Sequence, residues 1–126
     1  MQPLQHSRII SFAAVTDFAR ARKFYEDVLG LSFTAEEPFA LIFQTSTGML
    51  RLSKVAQLTP APYTVLGWEV SDIHAEVKAL IDRGVVFERF EMFAHNEAGV
   101  FTFPNGDQVA WFKDPDGNTL SLTQFK

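Results

Sequence analysis

The residues from Val109 to Thr123 set two strand-like runs around a dense turn signal. Val109, Ala110, Trp111 and Phe112 are apolar, and Thr119 to Thr123 alternates polar and apolar with period two. Between them, Asp114-Pro115-Asp116-Gly117-Asn118 combines a residue with preset φ, side chains that bond local backbone, and a glycine free to take positive φ. The pattern predicts a β-hairpin with a polar tip, its two leucines turned to a core and Ser121 to the opposite face of the sheet.

Earlier in the chain, Arg8 to Val15 lacks alternation and predicts a buried, central strand. Asp17 then caps a predicted helix with Phe18, Ala21, Phe24, Tyr25, Val28 and Leu29 on its apolar face and Gly30 at its stop. Strands are expected at Leu31 to Thr34, Ala40 to Thr45 and Met49 to Ser53. Val55 to Tyr63 carries Pro60 and Pro62 and reads as a linker. The order then restarts. Val65 to Val70 is a strand, and Asp72 caps a helix with Ile73, Val77, Leu80 and Ile81 inward and Gly84 at its end. Val85 to Phe90 is the next strand, and Val100 to Phe103 with Val109 to Phe112 predicts a hairpin through a type I′ turn at Asn105-Gly106.

The repetition can be matched by position. Val15-Thr16-Asp17 answers to Val70-Ser71-Asp72, Gly30-Leu31-Ser32-Phe33 to Gly84-Val85-Val86-Phe87, and Leu50-Arg51-Leu52-Ser53 to Leu120-Ser121-Leu122-Thr123. Three matches in one order imply two structural copies. The expected fold class is α+β: two tandem βαβββ modules, about 8–54 and 64–126 with a linker at 55–63, whose curved mixed sheets enclose a shared cavity with the helices outside.

Composition narrows the function. The 126 residues suffice for one domain with a filled core, 47% being hydrophobic and thirteen being phenylalanine. A net charge of −4 with scattered cations argues against nucleic acid as a partner. The absence of cysteine excludes disulfides, thiol nucleophiles and thiolate metal sites. No apolar run follows the charges of the N-terminal segment and none reaches membrane-spanning length, so a soluble, cytoplasmic protein without membrane contact is expected.

Several of these residues also carry a family resemblance. Asp17 with Phe24-Tyr25 and Leu29-Gly30-Leu31, the matching Val70-Ser71-Asp72, and Trp111 through Asn118 resemble the vicinal oxygen chelate superfamily of glyoxalases, extradiol dioxygenases, and fosfomycin- and bleomycin-resistance proteins. The resemblance runs from Ile9 to Phe125 and implies paired βαβββ modules and, commonly, a homodimer. It also implies four metal-ligand positions, which here hold Ile10, Val65, Arg51 and Ser121. Aliphatic groups offer no lone pair and a guanidinium repels a cation. The chain therefore resembles the metal-free members, which bind an organic molecule without chelating it, and neither a metal nor another cofactor is expected.

Arg51 is the foremost candidate for ligand contact, since period two turns it away from Leu50 and Leu52 towards the expected cavity. Two readings stand side by side: an anchor for an anionic group of the ligand, or a salt bridge to Glu69. Glu69 is in addition a candidate general base. His95 is expected in a loop over the cavity, and Ser121 faces the cavity from the last strand. Phe12, Met49, Trp111, Phe101 and Tyr63 are candidates for its apolar lining, Trp111 foremost because its indole N–H needs a partner. Three functions remain open: metal-independent binding of a small organic molecule, a divalent-metal lyase or dioxygenase using substitutes such as Glu69 and His95, and a regulatory module without turnover.

Overall fold

The computed structural model describes residues 3–126 and divides the chain into two compact units, Met1–Thr59 and Pro60–Lys126. In the first, β1 (Ile9–Val15), α1 (Phe18–Arg22), β2 (Ser32–Glu37), β3 (Ala40–Gln44) and β4 (Gly48–Lys54) give the expected βαβββ order. Its sheet runs β1-β4-β3-β2, with β1 parallel to β4 and the other pairs antiparallel. Strand β4 alternates as its sequence demands: Leu50 and Leu52 are buried, while Met49 and Arg51 on the other face are half-buried.

Two expectations for this unit are corrected. The first strand is an edge, because it pairs with β4 alone. Only Ala13 and Val15 among its apolar residues are buried, whereas Ile9, Ile10 and Phe12 are exposed. A continuous apolar run is shared by two-sided strands and by edges whose outer face is apolar, so periodicity did not separate them. The helix also changes character. Its Asp17 cap accepts from the Arg20 N–H at 3.0 Å, but beyond Arg22 it widens into π-helical turns over Lys23–Val28, with Leu29 N–H bonded to the Phe24 carbonyl. These wider turns carry the fully buried Tyr25, whose ring lies 6.1 Å from Phe43 of β3.

The second unit repeats the plan with β5 (Thr64–Glu69), α2 (Ile73–Asp82), β6 (Phe87–Glu88), β7 (Phe101–Thr102), β8 (Gln108–Lys113) and β9 (Thr119–Gln124). The sheet runs β5-β9-β8-β6, and β7 also pairs with β8. Asp72 caps α2 by accepting from the Ala75 N–H. The helix buries Ile73, Val77 and Leu80 and packs on β8 and β9, where Ala110, Phe112, Leu120 and Leu122 are buried. Ile81, expected on that face, is exposed, since it lies one 100° step beyond Leu80 and outside the stripe.

The predicted strand from Val85 to Phe90 shrinks to Phe87–Glu88, for a reason visible in the register. Phe87 and Glu88 pair with Phe112 and Trp111, and Phe101 and Thr102 pair with Val109 and Gln108. β6 and β7 are thus two pieces of one edge strand along β8, between which residues 89–100 leave the sheet. In the first unit the corresponding interruption is small: β2 bulges between Phe33 and Ala35. The second copy opens a long excursion where the first has a bulge.

The hairpin at Asn105-Gly106 forms with a different turn. Gly106 N–H bonds the Phe103 carbonyl and Phe103 N–H bonds the Asp107 carbonyl, while Gly106 has positive φ and, among the described residues, no non-glycine residue does. A type I′ turn requires positive φ at both central residues. Asn105 keeps a negative φ, so the turn shifts one residue back, with Pro104 and Asn105 at its centre, and the chain makes a type I turn followed by a glycine bulge. The hairpin between β8 and β9 has the same form, with Gly117 N–H bonded to the Asp114 carbonyl and Asp114 N–H to that of Asn118.

Candidate functional site

The sheet of the second unit has one face under α2 and one turned away. Register places Glu88, Trp111, Ser121 and Gly67 in a single cross-strand row on the far face, because Glu88 pairs with Trp111, Trp111 with Ser121, and Ser121 with Gly67. Lys113 and Thr119 form the next row on that face, and Val109, Thr123 and Glu69 the row on the other side.

A cleft of about 660 Å³ opens over the Lys113 and Thr119 end of this face. Trp111, Lys113, Thr64 and Thr119 come from the strands, Phe90, Met92 and Phe93 from the excursion, and Pro60 to Tyr63 from the segment read as a linker. That segment lies against the β8–β9 hairpin. A Cβ on Gly117, whose φ is +89°, would sit 3.1 Å from Pro60 Cγ, so both the backbone angle and the close approach require glycine there. The hairpin is held from inside by Asp114: its Oδ1 accepts from the Asp116 and Asn118 N–H groups and its Oδ2 from the Asn118 side-chain amide.

The wall of the cleft is an aromatic cluster. Phe93 stacks on Trp111 with ring centres 5.3 Å apart and planes 10° from parallel, and Phe90 meets Trp111 edge-on at the same separation. Phe93 continues to Phe101 at 4.5 Å, and Phe101 to Phe103 at 4.8 Å. The polar groups are few. Thr64 and Thr119 offer hydroxyls, and Lys113 Nζ lies 3.4 Å from Glu88 Oε1. An apolar, aromatic cleft with a few polar groups suits a small organic molecule better than a hydrated ion.

A family model described as Glyoxalase/Bleomycin resistance protein/Dioxygenase superfamily matches residues 8–122. The chain belongs to this superfamily. Among solved structures, a glyoxalase family protein from Bacillus anthracis is 16% identical over the whole of both chains, with a TM-score of 0.77. Lactoylglutathione lyase from Agrobacterium tumefaciens is 17% identical over 94% of this chain and 93% of that one, with a TM-score of 0.73. A superfamily member from Sphaerobacter thermophilus is 24% identical over 93% and 97%, with a TM-score of 0.71. At such identities the likeness establishes a shared fold. A comparison with curated protein sequences finds no match.

Metal-dependent members of the superfamily raise the question of a divalent ion, and the donor set here does not fit one. Ile10 and Val65 have no donor atoms. Arg51 gives its Nη2 to Glu37 Oε1 at 3.1 Å. Ser121 is buried with its Oγ against Gly67, where an added Cβ would come within 2.9 Å. Among the described residues no three His, Asp or Glu side chains gather as metal ligands. His95 has both ring nitrogens engaged, Nε2 with the Phe90 N–H at 3.0 Å and Nδ1 with the Gly99 carbonyl at 2.8 Å.

Of the residues singled out from the sequence, Trp111 and Tyr63 line the cleft. Phe101 stands behind Phe93, and His95 is 5.8 Å from Trp111, edge-on, beside a smaller depression of about 330 Å³ within the excursion. Glu69 is exposed on an edge strand of this sheet. Arg51, Met49 and Phe12 belong to the first unit, where Phe12 pairs with Arg51 across β1 and β4. The salt bridge that Arg51 makes is to Glu37 of its own sheet, in place of the expected Glu69. Register explains the choice: β2, β3 and β4 are adjacent, and Arg51 pairs with Ile42, which pairs with Ala35 on the strand carrying Glu37.

Sequence reasoning missed Phe90, Met92, Phe93, Thr64, Lys113 and the proline segment. A usable signal was present. Phe90, Met92, Phe93 and His95 crowd a stretch of uncertain secondary structure, and so much aromatic surface in a loop must pack against something.

Proposed function

We propose that this superfamily member binds a small, largely apolar organic molecule in the cleft over Trp111, without a metal ion. The observation that carries the reading is the cleft itself: about 660 Å³, within the range of small-molecule sites, walled by Phe90, Phe93, Trp111 and two prolines, with threonine hydroxyls to orient a polar group. The donor set supports metal independence, since the four family positions lack ligands and both His95 nitrogens are taken by backbone. An anionic substituent would meet Lys113, already ion-paired with Glu88, so charge contributes less than apolar contact.

The test uses a neutral aromatic probe, N-phenyl-1-naphthylamine, followed by its own emission and by quenching of Trp111. Saturable binding near one site per chain, weakened at least tenfold by Trp111→Ala and unchanged by added chelator, is expected. No saturable binding of this probe or of a carboxylated analogue would sink the proposal. Lys113→Ala separates the anionic reading: it weakens only the carboxylated analogue if the ammonium is an anchor.

Association into a homodimer is part of the same proposal, supported by the exposed Ile9, Ile10 and Phe12 on an edge strand. Sedimentation at twice the 14.2 kDa chain mass is expected, and a monomer at micromolar concentration would remove it. Among the described residues no helix is long and apolar enough to cross a membrane.

A further inference from the structure

The excursion between β6 and β7 has to solve a hydrogen-bonding problem. The ladder with β8 stops at Glu88 and resumes at Phe101, so backbone groups at the two ends of the excursion lose their sheet partners. A side chain supplies the replacement. His95 Nε2 receives the Phe90 N–H and its Nδ1 lies 2.8 Å from the Gly99 carbonyl oxygen. A backbone N–H can only donate and a carbonyl can only accept, which sets the ring as neutral imidazole with its hydrogen on Nδ1.

One of the two residues tied in this way, Phe90, belongs to the cleft's aromatic wall. Phe90 meets Trp111 edge-on, and the His95 ring itself packs within 6.4 Å of Phe90, Phe93, Phe101 and Trp111. We propose that His95 is a positioning residue: through this double hydrogen bond it holds Phe90 and Phe93 against Trp111 and thereby sets the width of the cleft. The proposal rests on the reading of that cleft as a binding site. His95 touches no ligand in it; it acts through the rings it places.

The residue type follows from the task. A rigid ring presents an acceptor and a donor on different edges, and so joins two backbone groups pointing at it from different directions. A Gln at this position keeps an acceptor near the Nε2 position but not the Nδ1 donor, and a Phe keeps the ring packing and neither bond. The base of the excursion has its own ties, since Arg89 donates to the Asn96 and Glu97 carbonyls and Asn96 Oδ1 accepts from the Val100 N–H. Those ties leave both variants folded, while His95→Phe releases the Phe90 and Phe93 wall.

Three measurements on the full chain test this. Nitrogen-15 spectra of the labelled imidazole at neutral pH should show the Nδ1–H form for His95. Amide exchange at Phe90 should quicken about tenfold in His95→Phe and return towards wild type in His95→Gln, a tenfold change being about 1.4 kcal/mol. The dissociation constant for N-phenyl-1-naphthylamine should rise about tenfold in His95→Phe and recover in the same Gln variant. An Nε2–H ring in the wild type overturns the proposal, as does a His95→Phe protein that matches wild type in both Phe90 exchange and probe affinity. A wild-type protein that binds no probe overturns the binding reading instead; the tautomer and the exchange rates need no ligand and decide the clamp separately.

Discussion

Replacing Asp114 by Ala removes the internal brace of the hairpin that borders the cleft. The carboxylate accepts from two backbone N–H groups at 3.0 and 2.9 Å and from the Asn118 side-chain amide at 2.8 Å, in surroundings where Asp114 is 5% and Asn118 4% exposed. Water cannot take over as acceptor at Asn118 while the structure holds. Each hydrogen bond to a buried donor is worth about 1 kcal/mol net, more with a charged acceptor, so the change should cost about 3 kcal/mol. Asp114→Asn is the discriminating control. It keeps one side-chain oxygen for the two backbone donors and sets an amide N–H₂ against the Asn118 amide, which places its cost near about 1 kcal/mol. Both tryptophans, Trp68 and Trp111, lie in this unit, so intrinsic fluorescence in urea reports its unfolding. With a slope of about 2 kcal/mol per molar urea, the midpoint should fall by about 1.5 M for Ala and about 0.5 M for Asn. Equal midpoints for the two variants, or an Ala variant within about 0.3 M of wild type, would show that the brace is not where the hairpin's stability resides.

Gly117→Ala should cost about 1–2 kcal/mol from positive φ alone and, by pushing on Pro60, should weaken probe binding as well; unchanged affinity with lowered stability would mean that the proline segment is not part of the site. Arg51→Met should lower stability by less than about 1 kcal/mol, because its pair with Glu37 is partly exposed, and raising the salt concentration should shrink even that difference. Phe112→Ala, which empties a fully buried position under α2, should cost about 3–5 kcal/mol in the same urea assay, and a smaller loss would show that helix and sheet repack. Elemental analysis after exposure to Mn²⁺, Ni²⁺ and Zn²⁺ should find no stoichiometric ion; about one per chain would reverse the metal-independent reading.

The chain's own pattern determined what depends on short-range spacing. Asp17 and Asp72 announced both helix caps, Gly30 and Gly84 both helix ends, and the three matched segments both βαβββ units, because capping, positive φ and alternation are local and leave the same marks in each copy. The polar hairpin at Asp114 to Asn118 was legible for the same reason. Trp111 could be singled out because its indole N–H needs a partner, and in the structure it lines the cleft.

Tertiary structure decided everything that turned on which strand lies beside which. The first strand's apolar run gave no sign that it would be an edge, since pairing on one side or two is settled by the rest of the sheet. The salt-bridge reading of Arg51 named Glu69, but an ion pair forms with whatever strand register brings near, and register put Glu37 there. The excursion from Arg89 to Val100 looked like a strand end and a loop; only the ladder along β8 shows one edge strand interrupted. Its consequence, a histidine replacing sheet hydrogen bonds and fixing an aromatic wall, depends on groups five and four residues away in the chain meeting at one ring. Spacing along a chain specifies elements, whereas a binding site is made where the backbone leaves them, and that place is chosen by packing.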